Sequence, residues 1–198
     1  MTLDDEAIER LVTQARDGDT FAYGLIFDHY HEPIYRYIAS RVYRPSDAED
    51  LTQLVFVKAL EALPRYESRG VPFGGWLFRL ARNAVIDFVR TRHEHAELDV
   101  IAGMAGDEAG PADVAQLRED LEAVGVALAL LTEDQREAIA LRFFAGLSAR
   151  EAAEAMGKQE GTVRGLQFRA IAALRRQLGL DAEESDVEGH RAGGRRRG

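Results

Sequence analysis

The sequence predicts an all-α protein of two small helical domains, joined by a flexible acidic linker, with a helix-turn-helix in the C-terminal domain. Three observations predict this fold. Apolar residues recur at helical spacing along most of the 198 residues. An acidic, Gly/Ala-rich stretch without clear periodicity interrupts this pattern at residues 94–114. Two short helical segments then flank a turn that contains Gly157, an arrangement typical of a helix-turn-helix.

The composition excludes several classes of protein. The hydrophobic fraction of 46% is ordinary for a globular chain, and the absence of cysteine excludes disulfides, thiolate metal sites and cysteine nucleophiles. No apolar run approaches the roughly 20 residues of a membrane span. Residues 1–6 are largely acidic and resemble no signal peptide. We therefore expect a cytoplasmic protein that does not insert into a membrane.

The charge is distributed unevenly along the chain. The formal net charge is −9, which by itself argues against nucleic-acid binding. However, residues 64–95 hold six basic and three acidic side chains, and residues 131–178 hold eight and six. The segments 1–63 and 96–130 are strongly acidic. This alternation indicates two local basic surfaces, although scattered charge on a solvated surface is the alternative.

The N-terminal half contains four predicted helices, over residues 4–17, 19–43, 47–63 and 73–92. Pro33 lies inside the second helix and can kink it. Ser46 and Asp47 form a favourable start for the third helix, and Pro64 ends it. The predicted buried stripe of that third helix consists of Leu51, Leu54, Val55, Ala59 and Ala62.

The helix over residues 73–92 combines a core stripe with a polar face. The core stripe consists of Leu77, Leu80, Ala81, Ala84 and Phe88. The other face carries Trp76, Arg79, Asn83 and Arg90, flanked by Arg82 and Asp87, and the preceding loop adds Tyr66, Arg69 and Phe73. Such a surface suits single-stranded nucleic acid, because bases stack on aromatic rings while basic groups follow the backbone. Core packing of Trp76 is an equally good interpretation.

The C-terminal half contains predicted helices over residues 115–130, 132–145, 148–156 and 159–178, before a tail, residues 179–198, that we expect to be disordered. Ser148 and Glu151 form a capping box, and Gly157 suits a left-handed helix end.

The last helix begins near Thr162 and buries Val163, Leu166, Ala170, Leu174 and Leu178. Two stripes stay exposed: Arg164, Phe168, Ile171 and Arg175, then Gly165, Arg169, Ala172 and Arg176. These arginines can reach guanine edges and phosphates in a major groove, although any amphipathic helix can expose arginines.

Three stretches together resemble the extracytoplasmic-function group of bacterial RNA polymerase sigma factors over about residues 5–178. Residues 47–59 (DAEDLTQLVFVKA) are similar to the family helix that docks on the clamp of the β′ subunit. Residues 73–87 (FGGWLFRLARNAVID) are similar to the helix that melts and reads the minus-ten element. Residues 131–137 (LTEDQRE), 146–148 (GLS) and 161–164 (GTVR) are similar to the reader of the minus-thirty-five element.

The resemblance implies roles for the residues in these stretches. Residues 1–93 would form sigma region 2 and residues 115–178 sigma region 4. Asp50, Gln53 and Val57, with Phe56 and Lys58 beside them, would bind β′. The loop 65–72 would hold a flipped non-template base above Asn83 and Trp76. In the minus-thirty-five groove Arg164, Phe168 and Arg169 would read bases, whereas Arg150, Lys158 and Thr162 would contact phosphates.

The resemblance also implies the partners. These are core RNA polymerase, through the β′ clamp helices and the β flap, promoter DNA, and an anti-sigma factor of the kind that controls many relatives. No catalytic site, metal or cofactor is implied. Gly165, Gln167 and Ile171 depart from the commoner choices in the family, so the promoter sequence does not follow from the resemblance. Because its acidic blocks outweigh its two basic segments, the chain should bind promoter DNA poorly without polymerase.

Three other classes of function compete with this interpretation. An ordinary helix-turn-helix regulator would bind duplex DNA without polymerase, but it would need neither residues 47–59 nor the Trp76–Asn83 face. An enzyme is disfavoured, because the sequence has no phosphate-binding glycine loop and no nucleophile elbow. Its histidines form poor metal pairs, since His29 and His31, like His93 and His95, are two residues apart. A helical interaction protein would leave both basic segments unexplained.

Overall fold

The computed structural model describes residues 4–42, 44–68, 70, 72–93 and 123–180, and throughout these residues the chain is helical or turn, without a strand. Packing divides the protein into two compact units. The first contains residues up to 103 together with residues 137–164, and the second contains residues 104–136 and 165–198. The all-α fold class is therefore confirmed. Within the described ranges, no helix is long and apolar enough to cross a membrane.

Four helices form most of the first unit: α1 (Asp5–Arg16), α2 (Thr20–Ala39), α3 (Pro45–Ala62) and α4 (Phe73–His93). Asp4 caps α1 by accepting a hydrogen bond from the Ala7 N–H at 2.8 Å, and Asp19 caps α2 in the same way. Helix α2 continues through Pro33. The core centres on Ile26, Ile34, Tyr37 and Ile38 of α2, together with Val55 of α3 and Leu77 and Phe78 of α4.

Helix α3 differs from its prediction at its start and on its buried face. It begins at Pro45, in the first turn where a missing N–H costs nothing, rather than at Ser46 or Asp47. Leu54 is 41% exposed, so its assignment to the buried stripe was wrong. Phe56 and Thr52 are buried instead. The Thr52 hydroxyl is satisfied because it donates to the Ala48 carbonyl at 2.7 Å.

The helix predicted over residues 132–145 is divided in two. Helix α6 (Glu133–Ile139) passes into a π-helical turn, Ala140–Phe144, in which the Ala145 N–H donates to the Ala140 carbonyl at 3.1 Å. Helix α7 (Ala149–Met156) and the start of α8 (Glu160–Gln177) complete the first unit. Helix α7 packs along α4, and its alanines are buried, so it forms part of the core of this unit.

The second unit is described over residues 123–136 and 165–180. A helix over residues 123–129, α5, is followed by a turn at Leu130. Arg136 donates hydrogen bonds to the carbonyls of Leu128, Ala129 and Leu131, which satisfies groups that a helix end leaves open. The predicted linker, residues 94–114, lies outside the described residues, as does the predicted tail beyond Leu180.

Candidate nucleic-acid interface

The helix-turn-helix forms as its local sequence predicts. The Ser148 hydroxyl accepts from the Glu151 N–H at 3.2 Å, while the Glu151 carboxylate accepts from the Ser148 N–H at 2.8 Å. This is the reciprocal pattern of a capping box. Gly157 ends α7 with φ +63°, a left-handed conformation that glycine adopts without strain. The turn then leads into α8, which begins at Glu160 and not near Thr162.

Helix α8 exposes the side chains expected of a recognition helix. Val163, Leu166 and Ala170 are buried, whereas Phe168 is 75% exposed. Arg164 is held by Glu160, whose Oε1 lies 3.0 Å from Nε and 2.5 Å from Nη2. Exposed groups on the same helix are Thr162, Arg169, Arg175 and Arg176. The helix therefore offers four arginines and one phenylalanine without burying any of them.

Gly165 bears directly on the position of Arg169. A Cβ at residue 165 would lie 3.3 Å from the Arg169 Nη1, so the guanidinium lies against the bare backbone of the preceding turn. The glycine thus gives Arg169 room to lie along the helix surface.

Aromatic side chains meet at the start of α4. The Trp76 ring centroid lies 4.8 Å from that of Tyr66 and 5.1 Å from that of Phe73. Phe73 is 1% exposed and also contacts Tyr30, so the expectation that its ring faces DNA is corrected: it is core. Trp76 is half-buried on this cluster and keeps part of its ring accessible. Packing of Trp76 on the core is therefore confirmed for part of the side chain, and its contact with an unstacked base stays a prediction.

The polar face of α4 contains open and paired groups. Asn83 and Asp87 are exposed, and Asp87 pairs with Arg90 at 3.1 Å. Arg79 pairs with Glu154 of α7 at 3.2 Å, and the Arg82 Nε lies 3.6 Å from the Glu137 Oε1. Arg69 lies outside the described residues. The face predicted to meet DNA is thus partly occupied by carboxylates of this same chain.

Two of the predicted phosphate contacts, Arg150 and Lys158, lie on or beside α7. Arg150 is exposed and donates to the carbonyl of Gly70, in the loop before α4. Lys158 is half-buried in the turn. The structure therefore brings Arg150 to the predicted minus-ten loop, which sequence reasoning did not anticipate.

The predicted polymerase-binding surface of α3 is apolar at its centre. Val57 is 53% exposed, and Leu54 and Leu60 beside it are 41% and 51% exposed. Asp50, Gln53 and Lys58 are exposed around them. Phe56 is 4% exposed and packs on Phe27, with ring centroids 4.6 Å apart, so its proposed contact with a partner is corrected. Helical spacing did not identify Leu54 as a surface residue, because it fits Leu54 to the buried stripe as well as it fits Phe56.

Sequence reasoning missed a buried ionic cluster, which we call the Glu137 cluster: Tyr37, Arg41, Arg82 and Glu137. The Glu137 Oε1 accepts from the Tyr37 hydroxyl at 2.7 Å, and its Oε2 lies 3.4 Å from the Arg41 Nη2. The Glu137 side chain is 3% exposed. Burial, and then the Glu137 charge, raise the pKa of the Tyr37 hydroxyl well above its usual range, so it remains a donor. The only local sign in the sequence that Glu137 is buried is that the apolar residues 138–141 follow it directly.

The described acidic and histidine side chains do not form a metal site. In the described ranges, no three His, Asp or Glu side chains are placed to hold an ion. Burial lowers the pKa of His29, which favours its neutral form.

The chain is similar to known proteins over both of its halves. Models of sigma-70 region 2 and sigma-70 region 4 match residues 26–94 and 127–176. The RNA polymerase sigma factor BldN of Streptomyces coelicolor is 35% identical over 90% of this chain and 69% of its own length. ShbA of Streptomyces griseus is 38% identical over 87% of this chain and 96% of its own. The solved structure of CnrH, in complex with the cytosolic domain of CnrY, is 27% identical with a TM-score of 0.67, and it covers 88% of this chain and 99% of CnrH. The chain belongs to the extracytoplasmic-function group of RNA polymerase sigma factors.

Proposed function

We propose that this sigma factor docks on core RNA polymerase through α3, captures the melted minus-ten strand with α4 and reads the minus-thirty-five duplex with α8. One observation supports the proposal: α4 and α8 each expose the kinds of side chain that these tasks require. Helix α8 presents unburied arginines suited to base edges, and α4 presents an exposed amide and, two helical turns earlier, a half-buried indole suited to an unstacked base. Regions 2 and 4 would correspond to residues 1–93 and 115–178, joined by 94–114.

Polymerase docking is supported by the surface of α3. An exposed apolar centre of Leu54, Val57 and Leu60 with a polar rim of Asp50, Gln53 and Lys58 has the make-up of a protein interface rather than a DNA interface. A net charge of −9 supports dependence on polymerase, because neutralisation of phosphates drives most non-specific DNA affinity. The proposed role requires no catalytic group, metal or cofactor of its own and places the protein in the cytoplasm.

Control by an anti-sigma factor is the second part of the proposal. The solved structure of the sigma factor RpoE from Bartonella quintana, 25% identical with a TM-score of 0.63, is a complex with the anti-sigma factor NepR. A partner of this kind would act by covering the docking surface of α3 or the reading faces.

Run-off transcription with core polymerase on a library of promoters tests the proposal. We expect transcripts from a subset of templates that share two elements, and none from core polymerase alone. A pull-down with core polymerase supplies the binding measurement. Tight duplex binding by the chain alone, without any association with polymerase, would instead establish an ordinary helix-turn-helix regulator.

A further inference from the structure

Helix α1 packs beside the predicted minus-ten loop, residues 65–72, although it precedes the part of the chain that matches the region 2 model. That match begins at residue 26. Helix α1 contacts the 3₁₀-helical turn Leu63–Arg65, which leads into the loop, and also α4, which follows the loop. It therefore contacts the elements at both ends of the loop. The buried face of α1 consists of Ile8, Val12 and Ala15.

Two side chains of α1 contact the loop itself. The Arg16 Nη1 donates to the Tyr66 carbonyl at 3.4 Å, and the Ser68 hydroxyl donates to the Glu9 Oε1 at 3.3 Å. Glu9 and Arg16 are seven residues apart, which is close to two helical turns, so they lie on the same face of α1. The helix thus holds the loop at two points, one in its backbone and one in a side chain.

Tyr66 connects this hold to the aromatic cluster at the start of α4. The Tyr66 side chain is buried, and its ring centroid lies 4.8 Å from that of Trp76 and 5.3 Å from that of Phe73. Burial, and then the Glu9 charge, raise the pKa of the Tyr66 hydroxyl, so the ring stays neutral beside Glu9. Because Trp76 is predicted to contact an unstacked base, a contact that fixes Tyr66 also fixes the loop relative to that indole.

The contacts from α1 use no residue that is assigned to DNA. The Gly70 carbonyl of the same loop accepts from Arg150, but Arg150 is itself a predicted phosphate contact. Glu9 is acidic and would repel phosphates, and Arg16 directs an N–H at a backbone carbonyl. A loop that is ordered before binding lowers the entropy cost of binding. Glu9 and Arg16 therefore suit a positioning role better than direct contact with a base.

We propose that α1 is part of the minus-ten reader, and that Arg16 and Glu9 are positioning residues that hold Tyr66 and Ser68 in place for capture of the flipped base. The inference rests on the proposed function, which assigns the minus-ten loop to that base. It adds to that function a helix that precedes the matched region 2 and makes no contact with DNA. Discrimination between bases at the flipped position therefore depends on side chains 50 and 59 residues earlier in the chain.

Loss of either contact should loosen the loop and leave α1 folded. Both hydrogen bonds are long, and Arg16 and Ser68 are exposed, so each bond contributes little to overall stability. Helix α1 is held by its buried face and by the Asp4 cap, and neither involves Glu9 or Arg16. The surfaces proposed for polymerase and for the minus-thirty-five element lie on other helices, α3 and α8. Effects on base capture can therefore be assigned to the loop.

The fluorescence of Trp76 tests the hold in the free protein. Trp76 is the only tryptophan of the sequence and packs on Tyr66, so its emission reports the loop without DNA or polymerase. Arg16→Ala should raise the acrylamide quenching constant of Trp76 by about 1.5-fold or more, because local opening lets Tyr66 cover the indole less well. Arg10→Ala is the matched control, since Arg10 lies on the same helix and pairs with Glu6 at 2.8 Å on the surface. Equal quenching in the two variants would overturn the proposal.

Base capture is measured with polymerase on a promoter obtained from the run-off library. 2-Aminopurine is placed in turn at each minus-ten position of the non-template strand, and its fluorescence rises where a base leaves the stack. Transcription from templates that carry each of the four bases at that position gives the base preference. Arg16→Ala and Glu9→Ala should each reduce this preference about threefold or more, because the loop must be ordered during capture. Binding to core polymerase and to a minus-thirty-five duplex should stay unchanged.

Conservative variants separate positioning from folding. Glu9→Gln keeps an oxygen that accepts from Ser68, and Arg16→Lys keeps an N–H donor for the Tyr66 carbonyl. Both should therefore retain most of the base preference that the alanine variants lose. Ser68→Ala should match Glu9→Ala, and the double variant should lose no more than either single one, because both substitutions remove the same contact.

The outcomes distinguish this inference from the proposed function. If Arg16→Ala and Glu9→Ala select bases as Arg10→Ala does, the positioning role is overturned. Loss of polymerase binding and thermal stability in parallel with base preference would also overturn it. If wild-type protein captures no base at any minus-ten position, the proposed function fails and this inference fails with it, even where Trp76 quenching shows that α1 holds the loop.

Discussion

The ion pair between Arg164 and Glu160 predicts opposite effects on minus-thirty-five recognition when each of its two partners is replaced. The pair is exposed, with side chains 68% and 44% accessible, and spans one helical turn. Such a pair contributes about 0.3–0.5 kcal/mol to the helix. A bidentate arginine contact with guanine contributes about 1–3 kcal/mol of discrimination. Since Arg164 must leave Glu160 to reach a base, Arg164→Ala should cost roughly 0.5–2.7 kcal/mol at the matched base, or about twofold to a hundredfold.

Removal of the competing carboxylate should have the opposite effect. Glu160→Gln releases Arg164 before DNA arrives, so promoter affinity of the polymerase complex should rise about twofold, equivalent to the 0.3–0.5 kcal/mol of the pair. Both variants are measured as complexes with core polymerase, by titration on templates with each base of the minus-thirty-five element changed in turn. Arg10→Ala is the control, because Arg10 forms the same type of pair with Glu6 at 2.8 Å on α1. An equal loss on every template after Arg164→Ala, or weaker binding after Glu160→Gln, would contradict base reading by Arg164.

Three further predictions concern other surfaces. Asn83→Ala should leave duplex binding intact but reduce permanganate reactivity of the melted minus-ten bases, because an exposed amide that holds an unstacked base is lost; unchanged reactivity would refute that role. Val57→Asp should weaken core polymerase binding at least tenfold in a pull-down, since it places a charge at the apolar centre of α3, whereas Gln14→Asp on α1 should not. Burial raises the pKa of the Tyr23 hydroxyl to about 12. Because an unfolded tyrosine ionises near 10, the folded state retains this proton more tightly, so the free energy of unfolding should fall as pH rises from 10 to 12. In denaturant titrations, Tyr23→Phe should make this fall less steep, and an identical slope would exclude Tyr23 as the group responsible.

Features set by nearby residues were predictable from the sequence. The capping box of Ser148 and Glu151 and the left-handed Gly157 depend on hydrogen bonds within one turn of helix, so the residue types suffice. Of the predicted buried stripe of α8, Val163, Leu166 and Ala170 are buried, as spacing predicts, whereas Leu174 and Leu178 are half-buried. Local geometry determines each of these features.

Features that depend on distant packing were not predictable. Helical spacing made Leu54 as good a core residue as Phe56, and only the presence of Phe27 decides that Phe56 is buried. An aromatic residue beside a basic helix, such as Phe73, is typical of a nucleic-acid contact. In the structure, however, the Phe73 ring packs against Tyr30 and Tyr66. The partners of Glu137 lie far away along the chain, on α2, after α2 and on α4, so no local pattern identifies them.

The π-helical turn Ala140–Phe144 has a consequence for how insertions and deletions would act. This turn contains one residue more than an α-helical turn and leaves Phe143 and Phe144 both on the surface, 58% and 40% exposed. Loss of one residue here would restore an ordinary helix, rotate the following chain by about 100° and shorten it by about 1.5 Å. The number of residues in this turn therefore sets the direction in which the chain continues from Glu137 to Ser148 and α7. The chemistry of any single side chain does not set it. Substitutions of the exposed Phe143 and Phe144 should be tolerated far better than a change in the number of residues, whereas Leu141 is fully buried and is constrained by packing.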